Sequence, residues 1–199
     1  LRSRGLGDVY KRQPYLTFEW KADKEDEYHE VQTQLIGEYN FPNALAAVTI
    51  GRFFDVEPER IDAALAAYTP QNNRSQLKQT ADNTLIIDAY NANPTSMQAS
   101  LANFHNMKVE NKMLILGDMR ELGKDGPEEH QKIADFLTEC GFEDVMLVGE
   151  QFAAARHSFP TYPDAAAVIE VLKQSKPHGK TILIKGSNGI RLNTVIDYL

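Results

Sequence analysis

The sequence predicts an α/β fold: a doubly wound, mostly parallel and Rossmann-like sheet from about residue 72 to the end of the chain. Three observations carry this. Four short apolar runs, Leu85–Ile87, Met113–Leu116, Val145–Val148 and Ile182–Ile184, lack the polar alternation of a one-sided strand, so they read as strands buried on both faces. Stretches with helical periodicity separate the runs, and alternating β and α elements build a parallel sheet with helices on its faces. Each run also stops at glycine or polar residues, and the carboxyl ends of parallel strands are where such sheets place their ligand crevice.

Taken in order, residues 1–13 show no apolar period and no hydrophobic stretch of the kind a signal peptide needs. Asp8-Val9-Tyr10-Lys11-Arg12-Gln13 resembles the translated end of a transposon adapter used in sequencing libraries, so 1–13 is expected to be non-native. Residues 14–36 read as a hairpin. Leu16, Phe18 and Trp20 alternate with polar neighbours, as do Val31, Thr33 and Leu35, and the charged Lys21–Glu30 stretch connects them. Two strands do not stand alone, so this hairpin is expected to be the edge of a larger sheet.

A helix carrying Leu45, Val48, Ile50 and Phe53 follows, with Asn40 and Asn43 placed to cap its start. Asp55-Val56-Glu57-Pro58 starts a second helix, with Ile61, Leu65 and Tyr68 expected inside. The polar Thr69-Pro70-Gln71-Asn72-Asn73 is the expected linker, giving a unit over 14–71 and another over 72–199. Beyond it, Pro94 opens a helix with Met97, Leu101 and Phe104 inside. Pro127-Glu128-Glu129 opens another, with His130 in its first turn as a core or capping residue and Gly141 as its stop. Asp164 caps a third containing Val168, Val171 and Leu172. Ile190, Val195, Ile196 and Leu199 predict a last helix reaching the terminus.

With 42% hydrophobic and 25% charged residues, the chain has the make-up of a soluble globular protein, and no apolar run is long enough to span a bilayer. A net charge of −7 with no basic cluster argues against a nucleic-acid partner. The single cysteine, Cys140, excludes an internal disulfide framework, fits a reducing compartment, and is expected to be buried and inert.

The chemistry gathers at the strand ends. One run ends in Asp88-Ala89-Tyr90-Asn91-Ala92-Asn93-Pro94, another in Gly117-Asp118-Met119-Arg120-Glu121, a third in Gly149-Glu150 and the last in Lys185-Gly186-Ser187-Asn188-Gly189. In a parallel sheet these share one rim, which suits a polar ligand with hydroxyls or phosphates. Each residue also has a plainer account. The asparagines could serve turns and caps, Asp118 and Glu121 could cap the segment after them, and Lys185 could pair with Asp118. Neither Gly-Xaa-Gly-Xaa-Xaa-Gly nor the full Gly-Xaa-Xaa-Xaa-Xaa-Gly-Lys-Ser/Thr phosphate loop occurs, and the histidines have no zinc spacing.

Four separated stretches resemble the Mur ligases. Gly37-Glu38-Tyr39-Asn40-Phe41-Pro42-Asn43-Ala44-Leu45-Ala46-Ala47 is similar to that family's Gly-Xaa-His-Asn-Xaa-Xaa-Asn-Xaa-Xaa-Ala-Ala motif. Asp88–Pro94, Gly117–Gly123 with His130 beyond it, and Lys185-Gly186-Ser187 resemble the branch of the family that adds a D-alanyl-D-alanine dipeptide. The likeness runs from about Pro14 to Leu199 and departs in two places. Tyr39 stands where His is usual, which leaves that side chain's role open. Asn72-Asn73 stand where Pro-Gly is frequent, which could displace Arg74.

The resemblance implies an ATP-dependent amide ligase of peptidoglycan synthesis in the bacterial cytoplasm, acting as a monomer. It would join D-Ala-D-Ala to UDP-N-acetylmuramoyl-tripeptide through an acyl phosphate, a chemistry of positioning and charge neutralisation. Residues 14–71 would be the end of the central ATPase domain and 72–199 the C-terminal domain. Asn40 and Asn43 would meet adenine, Arg74 the γ-phosphate and Asp88 the ribose. Tyr90, Asn91 and Asn93 would line the crevice toward the reacting groups, with Arg74, Asn91 and Asn93 as the catalytic set. Lys185 and Ser187 would lie near the dipeptide or the stem peptide. The phosphate loop and the Mg2+ ligands would lie upstream of Pro14, so these residues alone are expected to be inactive. A non-catalytic nucleotide- or partner-binding module is the rival reading, and another amide ligase acting on a different muramoyl peptide or on folate is a second.

Overall fold

In the computed structural model, which describes residues 2–5 (backbone), 14–22, 26–71 and 73–199, the four apolar runs are strands lying parallel in one sheet. The chain divides into two units, one of 1–70 with 106–108 and one of 71–105 with 109–199.

In the first unit, β1 (Arg2–Gly5), β2 (Tyr15–Lys21) and β3 (His29–Ile36) form an antiparallel sheet in that order. The adapter-like stretch Asp8–Gln13 lies outside the described residues. Alternation puts Leu16, Phe18 and Trp20 on one face of β2. There they pack with Val31, with Ala44 and Val48 of α1 (Phe41–Phe53), and with Ile61 of α2 (Pro58–Ala67). Trp20 carries a polar N–H into this core and satisfies it by donating to Asp62 Oδ1 at 2.8 Å. Tyr68, expected inside, is 56% exposed, because α2 ends at Ala67 and the chain turns extended there. Ile50, Phe53 and Phe54 are exposed as well.

The second unit holds β4 (Gln76–Gln79), β5 (Thr84–Asp88), β6 (Lys112–Gly117), β7 (Val145–Val148), β8 (Thr161–Tyr162) and β9 (Thr181–Lys185). Their spatial order is β4-β5-β9-β6-β7-β8, with only β4 antiparallel. The last strand in sequence is thus inserted between the second and third of this unit, bringing Lys185 beside Asp88 in register. One face of the sheet, with Leu85, Ile87, Ile115, Ile182 and Ile184, packs on α6 (Ala165–Gln174) and on the C-terminal segment. The alternate residues Ile86, Leu114, Leu116 and Leu183 point the other way. On that side α3 (Pro94–Asn106) buries Met97, Leu101 and Phe104, and α4 (Gly126–Glu139) buries Ile133, Ala134 and Leu137.

The helix ends follow from local chemistry. Asp164 accepts from Ala167 N at 2.9 Å and caps α6 as expected. At the end of α4, Gly141 adopts φ 69°, its N–H bonds Thr138 O and Phe142 N–H bonds Leu137 O, the paired bonds of a Schellman stop. The predicted last helix is instead two stretches of 3-10 turn, Asn188–Ile190 and Leu192–Tyr198, broken by Arg191 at φ 60°. Their apolar spacing serves burial of Leu192, Val195 and Ile196 without a continuous i→i+4 ladder.

Cys140, expected to be buried, sits half-buried at the C-cap of α4. Burial, with the Glu139 carboxylate second, pushes its thiol above the ordinary range. Since the thiolate is the reactive form, iodoacetamide near neutral pH is expected to alkylate Cys140 several-fold more slowly in the folded than in the unfolded chain. Equal rates by mass spectrometry would contradict that environment.

Candidate functional site

The rim at the carboxyl ends of β5, β9 and β6 gathers most of the candidate residues of the second unit. Lys185 closes a strand buried on both faces, so its ammonium is 1% exposed and requires a partner. Asp88, ending the neighbouring strand, supplies it: Lys185 Nζ donates to Asp88 Oδ2 at 2.5 Å and approaches Asn91 O at 3.4 Å. The pairing of Lys185 with Asp118 considered from sequence is not made. Lys185 lies opposite Leu116, two residues short of Asp118, and the Asp118 carboxylate is engaged elsewhere.

Asp118, at the end of β6, reaches across to the chain after β7. Its Oδ2 accepts from Gln151 N and its Oδ1 from Phe152 N, both at 3.0 Å, so it caps α5 (Glu150–Ala154) rather than the segment immediately after it. His130 is fully buried beneath this loop. Met119 N–H donates to its Nε2 at 2.9 Å, so Nδ1 carries the proton and donates to Gly126 O at 2.7 Å. The neutral imidazole that results braces the Asp118–Gly126 loop, a core role as expected of it.

Ser187 ties the rim together. Its Oγ accepts from Arg120 N at 2.8 Å and lies 3.5 Å from Ala92 O, and its own N–H meets Asp118 O at 3.2 Å. Three strand-end loops therefore converge on one serine.

In the loop after β5, Asn93 caps α3. Its Oδ1 accepts from Ser96 N at 2.8 Å, while Asn93 N–H reaches back to Ser96 Oγ at 3.2 Å, a reciprocal capping arrangement. Asn91 Oδ1 accepts from Ala92 N at 2.8 Å. Tyr90 is 44% exposed, and the Arg74 guanidinium carbon lies 3.8 Å from its ring centroid. The Asn73 backbone sits at φ 58°, a left-handed conformation that asparagine tolerates next best after glycine. Asparagine therefore suits this position, and the Arg74 that follows it lies over the Tyr90 ring in the loop after β5.

Beside Ser187 the rim opens into a cleft of about 590 Å³, bordered by Arg120, Glu121, Glu150 and Ile190 among others. The sequence marks this stretch as a strand end and as part of the Gly117–Gly123 resemblance, and gives no signal that singles out Arg120 within it.

Asn40 and Asn43 belong to the first unit. Neither caps α1 with its side chain: Asn40 Nδ2 donates to Ile36 O at 2.8 Å, and Asn43 Nδ2 donates to Asn40 Oδ1 at 3.0 Å. The pair fixes the entry of α1 by bonding to itself and to the end of β3.

Residues 73–188 match the family described as "Mur ligase, glutamate ligase domain". The chain is similar to the UDP-N-acetylmuramoyl-tripeptide–D-alanyl-D-alanine ligase of Bacillus subtilis strain 168. The two are 30% identical over 173 residues, covering 81% of this chain and 38% of that protein. It is also similar to a crystal structure of MurF from Acinetobacter baumannii, with TM-score 0.80, 26% identity, and coverage of 92% of this chain and 42% of that one. MurF from Thermotoga maritima, solved in complex with ADP, shares the fold with TM-score 0.78 at 18% identity, over 94% of this chain and 43% of that one. The chain thus spans well under half the length of these relatives.

Proposed function

This chain belongs to the Mur ligase family, and we propose that the protein carrying it is an ATP-dependent amide ligase joining D-Ala-D-Ala to UDP-N-acetylmuramoyl-tripeptide in the bacterial cytoplasm. The observation that carries this reading is the common rim. Arg74 stacked on Tyr90, and Asp88 bonded to Lys185, stand where an open parallel sheet receives its ligand. The names of the Bacillus subtilis and Acinetobacter baumannii relatives support the substrate pair, and the ADP in the Thermotoga maritima protein supports a nucleotide.

In this reading Arg74 meets the γ-phosphate, where the planar fork of a guanidinium fits phosphate oxygens bidentately. Asp88 keeps its Oδ1 for the ribose hydroxyls while Oδ2 holds Lys185. Asn40 and Asn43, bonded to one another and to the end of β3, serve the adenine. Asn91 and Asn93 act mainly by shaping the loop that faces the reacting groups, since their side-chain oxygens are already engaged. The burial of Lys185 makes its influence on the dipeptide or stem peptide one exerted through the loop it holds. Catalysis is then the alignment of a phosphorylated carboxylate with the incoming amine, plus cations meeting the charge that develops. Among the described residues no group of three or more His, Cys, Asp or Glu could hold a metal.

The intact protein, given ATP, UDP-N-acetylmuramoyl-tripeptide and D-Ala-D-Ala, is expected to release phosphate only when both substrates are present and to yield the pentapeptide product by mass. The 199 residues alone contain no Gly-Xaa-Xaa-Xaa-Xaa-Gly-Lys-Ser/Thr phosphate loop and are expected to release none. Phosphate release by these residues alone would overturn that division of labour. An intact protein that binds ATP without ever consuming it would favour a binding module.

A further inference from the structure

We propose that Tyr90 is a positioning residue for Arg74: its ring is a shelf that holds the guanidinium facing the rim, and Tyr90 does not itself bind substrate. This rests on the reading that Arg74 meets a phosphate.

An arginine at an exposed site samples many rotamers, and binding an anion must first select one. Here the selection is made in advance. The backbone on both sides of Arg74 is left-handed, with Asn73 at φ 58° and Ser75 at φ 44°, which fixes where the side chain leaves the chain. The guanidinium carbon then sits 3.8 Å from the Tyr90 ring centroid, over the electron-rich face. Among the described residues no carboxylate pairs with Arg74, so the ring is what holds it.

The stack leaves the working atoms free. A guanidinium lies on a ring by its flat face, whereas its five N–H donors point outward in the plane. A stacked Arg74 therefore still presents its edge to phosphate oxygens. The shelf in turn is held firmly. Asp88 and Asn91 O are gripped by Lys185, Ala92 O lies against Ser187, and Asn93 is locked as the cap of α3. Among the described residues the Tyr90 hydroxyl makes no hydrogen bond, so the ring and not the hydroxyl is the engaged part.

The test is a double-mutant cycle on the intact ligase, reading kcat/KM for ATP, with KM for the dipeptide and the tripeptide measured alongside. Tyr90→Phe keeps the ring face and is expected to stay within about twofold of the parent. Tyr90→Leu keeps bulk without the ring and is expected to lower kcat/KM for ATP about two- to fivefold, the size of an exposed cation–π contact, with the peptide KM values unchanged. In an Arg74→Ala background, Tyr90→Leu is expected to add nothing. Neither side chain belongs to the core, so folding is not at stake, and thermal melts of each variant check this. A loss with Tyr90→Phe as large as with Tyr90→Leu would overturn the proposal, and so would a Tyr90→Leu effect that persists without Arg74 or falls on the peptide KM. If Arg74→Ala alone leaves kcat/KM for ATP intact, the phosphate role of Arg74 fails first and takes the proposal with it.

Discussion

Gly149→Ala is expected to destabilise the second unit by about 3–5 kcal/mol, more than other single changes at its glycines. Gly149 sits at φ 122°, ψ 168°, a region that side-chain-bearing residues avoid. A Cβ at this position would overlap Asp118 Oδ2, well inside contact distance. Asp118 cannot swing away cheaply, because its two oxygens hold Gln151 N and Phe152 N and so anchor the start of α5. The substitution therefore combines backbone strain with the loss of charge-assisted hydrogen bonds, each worth about 1.5–3 kcal/mol. A fall in the melting temperature on the order of 10 °C follows. Gly123→Ala is the control. Gly123 also has positive φ, 55°, yet a Cβ there would have nothing within 4 Å of it, so only the left-handed strain of about 1–2 kcal/mol remains. Equal melting temperatures for the two variants would show that the Asp118 contact does not matter.

Much of this architecture is legible in the sequence, and its gaps have physical causes. The parallel strands can be read because burial on both faces leaves unbroken apolar runs such as Leu85–Ile87. β4, Gln76–Gln79, escapes notice because it is a half-exposed antiparallel edge whose residues need not be apolar, and β8 is only two residues long. The final segment carries helical apolar spacing, but left-handed Arg191 interrupts it. At the site, Asp88 and Lys185 are each recognisable as strand-end residues. Their partnership is not, since it depends on β9 slipping between β5 and β6, and sequence order says nothing of spatial order. For the same reason Asp118 can be read as a cap, though not as the cap of a helix one strand further on. Asn93 shows how two readings can hold at once: the residue that lends the loop its resemblance to a family motif is also the one that starts α3.

Asp88→Ala is expected to cost about 3 kcal/mol or more of stability before any effect on ATP is counted, because it strands a charge. Removing one member of a buried ion pair costs about 3–5 kcal/mol, since the survivor keeps its desolvation penalty without its partner. Lys185 is that survivor, at 1% exposure, with only the 3.4 Å approach to Asn91 O left to it. A loss of ATP affinity in this variant would therefore not separate a ribose contact from a collapsed loop. The paired variant Asp88→Ala with Lys185→Met does. Replacing both charges with apolar groups is often close to neutral, so the double variant is expected to melt within a few degrees of the parent. Its ATP affinity then reports on the ribose contact with the loop restored. If the double variant is as unstable as Asp88→Ala alone, the ion pair is not what holds the rim. If it is stable and binds ATP as tightly as the parent, Asp88 serves the loop and not the nucleotide. A stable double variant with weakened ATP binding is the expected result, and it would give one carboxylate two tasks, with Oδ2 on Lys185 and Oδ1 on the ribose.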